Sequence, residues 1–398
     1  MEINSFILFV EINRSNYTFI AGKYDDNQNF TIDEKMIAPN EGVAENKFFN
    51  VNLAIETVKK NITAIENKLD YVFKSVYIIL DIFDYSCVNI SGYKKLNQSQ
   101  VLKDNISYIL NSLKLIISEN EKDKTILHIF NSKNILDGTV IENLPIGLFG
   151  DFYSHELTFY LIKNNDLKDI KKIFKKNNLN IEKILLKDFI EGVQLIDQNQ
   201  KDENFFKINL GKTKSQISFF DKSSFRYSES FNFGSTMIIK DIEKVCSIKN
   251  EIINTILLDK PFKIQKYDEE QYFEEKFFIN DDYRKIKKKL VYEIANSRIE
   301  EIIDIIFNKN INIESFKQTS NQVYFNVQDN LISENFKQIF ENCIYKKNGF
   351  QIKFIDVAFD KLIYNAAKLS LFGWKKEAIP ITQTKNSLIT RIFQSIFE

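Results

Sequence analysis

The first 82 residues alternate between short apolar runs and one stretch of helical spacing. Residues 6–11 form a continuous apolar run, and residues 17–22 and 30–38 alternate between apolar and polar side chains. Apolar residues recur at helical spacing over residues 52–68, and a further apolar run covers residues 75–82. Continuous or alternating runs predict strands, and spacing of three or four residues predicts a helix. Three strands, a helix and a fourth strand indicate an α/β half-domain with a mixed sheet.

A second unit follows at about residues 84–163, with turn chemistry at Asp137-Gly138 and at Pro145-Ile146-Gly147. After this unit, alternation of helix and strand resumes up to about residue 197. The elements predicted here are strands at 87–90, 125–130, 153–162 and 181–186, and helices at 100–117, 166–177 and 189–197.

The opening pattern restarts near residue 205. Residues 205–220 again form strand, turn and strand, as residues 6–22 do, and this is expected of an internally duplicated fold. Residues 374–386 are polar and contain Pro380, so they are predicted to be a linker. The other elements predicted in this half are strands at 225–233 and 322–327, and helices at 240–245, 251–257, 285–307, 331–340 and 361–371.

The composition favours a globular protein with at least two domains. At 398 residues the chain is too long for one hydrophobic core, and 44% of its residues are hydrophobic. Lysine plus arginine and aspartate plus glutamate both number 54, so no net charge attracts DNA or RNA. Cys87, Cys246 and Cys343 lie far apart, which predicts thiols in a reducing cytoplasm. No signal peptide or spanning segment is evident, so we expect a cytoplasmic protein.

Residues 387–398 have the spacing of a short amphipathic helix. At about 100° per residue, six large apolar side chains share one face, and Ser387 is a good N-cap. A short helix after a polar linker has too little neighbouring chain to bury this face, which favours insertion into a bilayer interface. Docking on the body of the protein or in a partner's groove is the alternative. The residues predicted to contact the membrane are Leu388, Ile389, Arg391, Ile392, Phe393, Ile396 and Phe397.

Several short motifs follow one another in an informative order. These are Ile90-Ser91-Gly92, the stretches 126–130 and 135–138, the stretch 143–150, and then Glu191-Gly192, Phe233-Gly234 and the Arg-Ile-Glu-Glu sequence of residues 298–301. Their order and spacing resemble the FtsA family of bacterial cell-division proteins over nearly the whole chain. The stretches at 126–138 and 143–150 resemble the small inserted subdomain of that family.

The resemblance implies an α/β fold of the actin-like (ribonuclease H-type) class. It has two lobes, an inserted small α+β subdomain and a C-terminal amphipathic helix. The implied boundaries are residues 1–83 and 164–200 for the first lobe, 84–163 for the inserted subdomain, 201–373 for the second lobe with a partner-peptide subdomain at about 244–320, 374–386 for the linker, and 387–398 for the membrane-targeting helix.

The resemblance also implies two β-hairpins that cradle the phosphates of ATP and position Mg²⁺. The first corresponds to residues 11–16, which keep a carboxylate but lack the family's glycine and lysine. The second corresponds to residues 209–216, where amides replace acidic residues and one of three glycines remains. These losses argue against hydrolysis, because placement of the metal supplies most of the catalysis. The residues predicted to contact nucleotide are Glu11, Asn13, Ser15, Asn209, Gly211, Lys212, Thr213, Gly234 and Glu251.

FtsA proteins bind the C-terminal peptide of the tubulin-like GTPase FtsZ. The resemblance places this peptide site at Arg298 and Glu301, with Lys289 nearby, although a surface ion pair between residues three apart explains the first two equally well. His128 lies in an apolar strand and is predicted to be a satisfied core residue. No catalytic set and no metal-ligand set is predicted.

Together these features predict a non-enzymatic protein at the cytoplasmic face of the inner membrane, at the division septum. Its predicted partners are the FtsZ peptide, membrane lipids, further copies of itself in a filament, and other division proteins. Two alternatives stay open. One is an ATPase or sugar-kinase relative with the same fold, and the other is a pilus-assembly relative of FtsA that binds a membrane partner's peptide.

Overall fold

Residues 5–44, 47–82, 84–198, 203–259, 271–278, 281–356 and 359–378 are described by a computed structural model. The chain divides into two units. Unit 1 comprises Met1–Lys201, Asp221–Tyr227 and Val357–Glu398, and unit 2 comprises Asp202–Phe220 and Ser228–Asp356. The predicted amphipathic helix at residues 387–398, with all its predicted membrane contacts, lies outside the described residues.

Most elements of unit 1 come from the first half of the chain. They are β1 (Ile7–Ile12), β2 (Asn16–Tyr24), β3 (Phe30–Pro39), β4 (Val43–Ala44), β5 (Lys47–Phe48), α1 (Val51–Leu69), β6 (Ser75–Leu80), β7 (Tyr85–Gln100), α2 (Lys103–Asn120), β8 (Lys124–Leu136), β9 (Thr139–Ile141), β10 (Phe149–Lys163), α3 (Asn164–Lys176), β11 (Asn180–Leu186) and α4 (Lys187–Gln198).

Unit 2 follows, and the last two elements of the described chain return to unit 1. Alpha-helix α10 (Phe359–Phe372) and strand β17 (Glu377–Ala378) complete unit 1. The tip of the hairpin formed by the second and third strands of unit 2 also belongs to unit 1. The elements of unit 2 are β12 (Phe205–Leu210), β13 (Ser215–Asp221), β14 (Ser224–Phe231), α5 (Thr236–Cys246), α6 (Asn250–Asp259), α7 (Lys288–Ile303), α8 (Glu314–Lys317), β15 (Gln322–Val327), α9 (Asn330–Asn348) and β16 (Gln351–Phe354).

A five-stranded mixed sheet forms the centre of the first lobe, in the order β11-β6-β1-β2-β3. Strand β1 pairs antiparallel with β2 and parallel with β6, and β6 pairs parallel with β11. All six residues of β1 are buried, as expected for a strand covered on both faces. The carboxyl ends of β1, β6 and β11 therefore lie at one edge of the sheet.

Local sequence explains where helix α1 begins and ends. The Asn50 side chain accepts a hydrogen bond from the N–H of Leu53 at 3.1 Å and caps the first turn. Ala54, Val58, Ile62 and Ile65 are buried along one stripe, and Asp70 ends the helix in the left-handed conformation with φ +47°. Asparagine and aspartate suit these end positions because their short polar side chains bond locally to the backbone.

The inserted subdomain is a sheet in the order β17-β8-β10-β7, with β9 paired to β8. Helix α2 covers one face and contributes Ile106, Ile109, Leu113 and Ile117 to a common core. The predicted Asp137-Gly138 turn joins β8 to β9, with φ values of +48° and +80°. Two consecutive residues in the left-handed region are typical of tight hairpins.

The opposite face of this sheet contacts the segment Asp221–Tyr227. Arg226 is buried there; its guanidinium donates to Glu156 and, at 3.1 Å, to Asp221. The ring of Phe225 stacks on Tyr160 at 4.3 Å between centroids. These contacts attach the segment to the subdomain through both a packed ring pair and an ion-pair network.

Two predicted boundaries near the end of the chain differ from the structure. Helix α10 packs on α4 and β3 of unit 1, so the second lobe ends near residue 356 and not at residue 373. The predicted linker 374–386 is wrong for residues 374–378. Strand β17 pairs antiparallel with β8, and Glu377 is only 3% exposed. The physical reason is that its charge has buried partners elsewhere in unit 1.

Unit 2 repeats the strand order of the first lobe. Its sheet runs β14-β13-β12-β15-β16, with β12 antiparallel to β13 and parallel to β15. This matches β3-β2-β1-β6-β11 element by element and confirms the predicted duplication. The predicted helix 285–307 is divided, because α7 ends at Ile303 and continues as a π-helical turn, Asp304–Asn308. Among the helices of the described ranges, none combines the length and apolar character needed to cross a bilayer.

Candidate functional site

The turn between β1 and β2 is closed by its own groups. Asn13 Oδ1 accepts hydrogen bonds from the backbone N–H groups of Ser15 and Asn16, each at 2.9 Å. The N–H of Asn13 donates to Asn16 O at 3.1 Å, and Asn13 Nδ2 donates to Asn16 Oδ1 at 2.8 Å. This is an Asx turn, which asparagine favours. Three backbone N–H groups of the predicted phosphate loop are therefore engaged inside the loop.

Glu11, the acidic residue of the same hairpin, lies near the end of β1 and is 1% exposed. Its Oε1 lies 2.9 Å from Nζ of Lys187, the first residue of α4. The same Nζ lies 2.9 Å from Oδ2 of Asp81, the residue that follows β6. One ammonium therefore serves two carboxylates at the edge where the parallel strands end.

The charge state of this cluster follows from burial and from the excess of acids. Burial by itself lowers the pKa of Lys187, but Asp81, Glu11 and Glu191 outweigh it and raise that pKa well above its usual value. Burial also raises the pKa of Asp81; Lys187 lowers it, yet Glu11 and Glu191 add to the increase. A raised pKa favours the charged form of Lys187 but the protonated form of Asp81. The 2.9 Å contact between Nζ and Oδ2 identifies the two groups as an ion pair.

The second predicted phosphate loop lies in unit 2 and closes on the start of α5. The N–H of Ser235 donates to Gly211 O at 2.9 Å, and the N–H of Thr236 donates to Lys212 O at 3.0 Å. A Cβ on Gly234 would lie 2.7 Å from Lys212 O and closer still to Gly211 O, so only glycine fits. Donors at the start of a helix that could meet an anion are here taken by loop carbonyls.

The remaining predicted nucleotide contacts lie at separate places in unit 2. Asn209 is in β12 and pairs with Gln216 across the hairpin, whereas Lys212 and Thr213 are exposed in the turn. Glu251 is exposed on the first turn of α6. The structure thus brings Gly211, Lys212 and Gly234 together and leaves Glu251 on another element.

These contacts bear on whether ATP and Mg²⁺, which the resemblance implies, fit the two predicted loops. A phosphate cradle uses available backbone N–H groups, and Mg²⁺ uses carboxylates that hold its waters. Glu11 and Asp81 share the Lys187 ammonium, so the residues present do not fit a Mg²⁺ site. Across the part of the chain that the structure describes, no group of three or more His, Cys, Asp or Glu side chains is arranged to hold a metal ion. Nucleotide binding through the exposed loop residues stays a prediction.

The predicted peptide site lies on α7. Arg298 donates to Asp241 of α5 and, at 2.6 Å, to Glu301 Oε2. The Arg298 side chain is 22% exposed and that of Glu301 is 55% exposed. Hydrogen bonding to Asp241, with the nearby carboxylates, raises the pKa of Arg298. Lys289 lies nine residues earlier on the helix, about 13 Å along its axis and on the opposite side, so α7 does not place it beside Arg298.

A buried charge cluster in unit 1 contains His128; its predicted place in the core is confirmed, but only Nδ1 has a hydrogen-bond partner among the described residues. His128 is fully buried, and its Nδ1 lies 2.6 Å from Glu377 Oε1. Lys183 Nζ donates to Glu377 Oε2 at 2.9 Å, and its side chain is 2% exposed. Burial by itself raises the pKa of Glu377, but Lys183 and His128 outweigh it and lower that pKa to about 2. Glu377 thus joins β8 and β11 to the strand that leads to the C-terminal segment.

Sequence reasoning missed Asp81, Lys183, Lys187 and Glu377. Three of them gave a signal in the sequence, because each is a charged residue inside a predicted strand or directly after one. Asp81 lies within the predicted strand 75–82, Lys183 lies within 181–186, and Lys187 follows that strand. Glu377 gave no such signal because it lies in the stretch 374–386 that was predicted to be a linker.

Two sheets with the same strand order, one of them carrying an inserted antiparallel subdomain, give this chain the actin-like fold. In structure, the chain is similar to the PilM–PilN type IV pilus biogenesis complex, with a TM-score of 0.53 and 8% sequence identity. The match covers 93% of this chain and 97% of that chain. That likeness shows the fold alone.

Within that fold, the sequence is similar to that of cell division protein FtsA. FtsA of Neisseria meningitidis serogroup B is 18% identical over 307 residues, which cover 76% of this chain and 73% of that protein. FtsA of Buchnera aphidicola subsp. Acyrthosiphon pisum is 19% identical over 211 residues, so this match spans 53% of the chain and half of that relative's length. No protein-family model matches the chain.

Proposed function

We propose that this chain is a cell-division protein of the FtsA kind, which attaches an FtsZ ring to the cytoplasmic face of the inner membrane and helps to recruit later division proteins. The observation that carries the proposal is the inserted sheet within an actin-type lobe, in a chain related to FtsA over three quarters of its length. The amphipathic spacing of residues 387–398 supports the attachment to membrane. Self-association into filaments belongs to the same proposal.

The loop contacts favour a scaffold over an ATPase of the same fold. Both predicted phosphate loops bind their own backbone groups, and two carboxylates near the first loop share the Lys187 ammonium. Catalysis of phosphoryl transfer depends on a placed metal and on donors aimed at the phosphates. A chain with these groups engaged internally is expected to act through its surfaces.

Vesicle co-sedimentation tests the membrane contact. The full chain is expected to sediment with vesicles of phosphatidylethanolamine and phosphatidylglycerol, and a chain ending at Ala378 is expected to stay in the supernatant. Ile392→Asp places a charge on the apolar face and should abolish sedimentation, because a charge cannot enter the acyl boundary without a large cost. Gln394→Asp is the matched control on the polar face and should keep it. Equal sedimentation of both variants would contradict the proposal.

Fluorescence anisotropy with a labelled FtsZ C-terminal peptide tests the partner site. Arg298→Ala is expected to weaken binding by about tenfold, or about 1.4 kcal/mol. Arg284→Ala is the matched control, because Arg284 is another arginine of unit 2 and donates to the Ser247 carbonyl. If both variants bind like the unaltered chain, α7 is not the peptide site, and Arg298 only joins α7 to α5.

A further inference from the structure

Glu11, Asp81 and Lys187 meet where three neighbouring parallel strands end. Glu11 is the penultimate residue of β1, Asp81 follows β6, and Lys187 follows β11. The register pairs Glu11 with Ile79 of β6, and Ile79 with Leu185 of β11. In open α/β sheets, ligands and their metals bind beyond the carboxyl ends of the strands. The cluster thus lies at the edge of this lobe where a ligand and its metal ion are expected to bind.

Lys187 supplies the positive charge that buried Glu11 and partly exposed Asp81 require. Glu11 cannot stay ionised while 1% exposed unless a cation lies next to it. The Lys187 ammonium lies 2.9 Å from Glu11 Oε1 and 2.9 Å from Asp81 Oδ2. The contact with Asp81 is a hydrogen bond, whereas the angle at Glu11 Oε1 does not form one. A buried Glu11 oxygen therefore retains a lone pair for one more donor or for a small cation.

We propose that Lys187 acts as a built-in cation that takes the place of a divalent metal ion in this lobe. Mg²⁺ in proteins is bound by one or two carboxylates and keeps several waters. Glu11 and Asp81 form such a pair, and the ammonium lies between them. The unaltered chain therefore keeps a cation between these carboxylates without metal, and removal of the ammonium opens a divalent-cation site. The inference does not depend on membrane or FtsZ binding, so its failure leaves the proposed function untouched.

The experiment compares the full-length chain with Lys187→Gln, using Mn²⁺ as the probe. Binding is measured by electron paramagnetic resonance of free Mn²⁺, and stability by thermal unfolding with and without the metal. Lys68→Gln is the matched control, because Lys68 pairs with a single carboxylate, Glu34, at an exposed position. The double variant Glu11→Gln/Lys187→Gln removes one ligand together with the unpaired charge.

We expect no Mn²⁺ binding by the unaltered chain or by Lys68→Gln. Lys187→Gln should unfold at a lower temperature without metal and gain about 3 °C at a Mn²⁺ concentration tenfold above its Kd. The double variant should lose that gain. Recovery of soluble Lys187→Gln only when Mn²⁺ is present would support the proposal equally.

Two outcomes overturn the proposal. The first is Mn²⁺ binding by the unaltered chain that disappears in Glu11→Gln, since the ammonium would then not replace the metal. The second is a soluble Lys187→Gln that binds no Mn²⁺. If Lys187→Gln does not fold under any condition, the unaltered chain and Glu11→Gln decide by the first measurement.

Discussion

Replacing Glu377 by glutamine removes one charge from a cluster that has no contact with solvent. The substitution keeps the shape of the side chain and a hydrogen-bonding group for His128, but leaves the Lys183 ammonium without its carboxylate. Lys183 is 2% exposed, so water cannot replace the lost partner. The variant therefore tests whether the buried ion pair holds β17 in place.

The structure sets the expected magnitude. The pKa of Glu377 falls from 4.5 to about 2 in the folded chain. At 1.36 kcal/mol per pH unit this fall corresponds to about 3 kcal/mol of stability at neutral pH. Removing one partner of a buried ion pair costs about 3–5 kcal/mol in other proteins. We therefore expect Glu377→Gln to lower the free energy of unfolding by about 3 kcal/mol.

The dependence on pH has a definite sign. Because the folded pKa lies below the unfolded value, the unfolded chain binds more protons between about pH 4.5 and pH 2. The contribution of Glu377 is complete above about pH 4.5 and is lost as the pH falls through about 2. The difference in stability between the unaltered chain and Glu377→Gln should thus be largest near neutral pH and shrink in acid.

Urea unfolding followed by tryptophan fluorescence measures this effect locally. The sequence has one tryptophan, Trp374, and its indole N–H donates to Ser223 O at 2.8 Å beside β17. Glu119→Gln on the exposed side of α2 is the control and should leave the midpoint unchanged. The reasoning is refuted if Glu377→Gln unfolds at the midpoint of the control, or if the gap stays constant from pH 6 to pH 3.

Two further pairs of substitutions test packing and charge. Gly234→Ala should lower the free energy of unfolding by about 2 kcal/mol, because its Cβ overlaps backbone oxygens of the second loop; Gly138→Ala, with open space but φ +80°, should cost about 1 kcal/mol by thermal unfolding. Arg226→Ala should cost about 2 kcal/mol because two carboxylates lose their shared donor, with Arg226→Lys intermediate. Equal stabilities within either pair would contradict the corresponding explanation.

Strand β7 extends well beyond the strand that the sequence predicted. Its apolar pattern predicted a strand at 87–90, but the strand extends from Tyr85 to Gln100 and pairs with β10 along that length. Most residues of its second half are exposed, and Lys95 lies among them. Exposed strand residues need not be apolar, so periodicity marks only the covered part. Backbone pairing with β10 determines the rest.

The predicted nucleotide contacts show a second limit of prediction from the sequence. The sequence indicated correctly which loops close the two hairpins, and it indicated that Gly211 and Gly234 occupy special positions. It did not indicate that Asn13 would bond the N–H groups of its own loop, or that Lys187 would reach Glu11. The first depends on the exact geometry of a turn, and the second joins residues on different strands.

What the sequence determined by itself was local or repeated. Periodicity over one element specified most strands and helices, and its recurrence near residue 205 indicated the duplication that both sheets show. The tertiary structure alone decided which charges are buried and what neutralises them. Glu377 lies 194 residues from Lys183 and 249 residues from His128. Spacing along the chain carries information about neighbours within a few turns, whereas an ion pair between distant residues exists only after the sheets have formed.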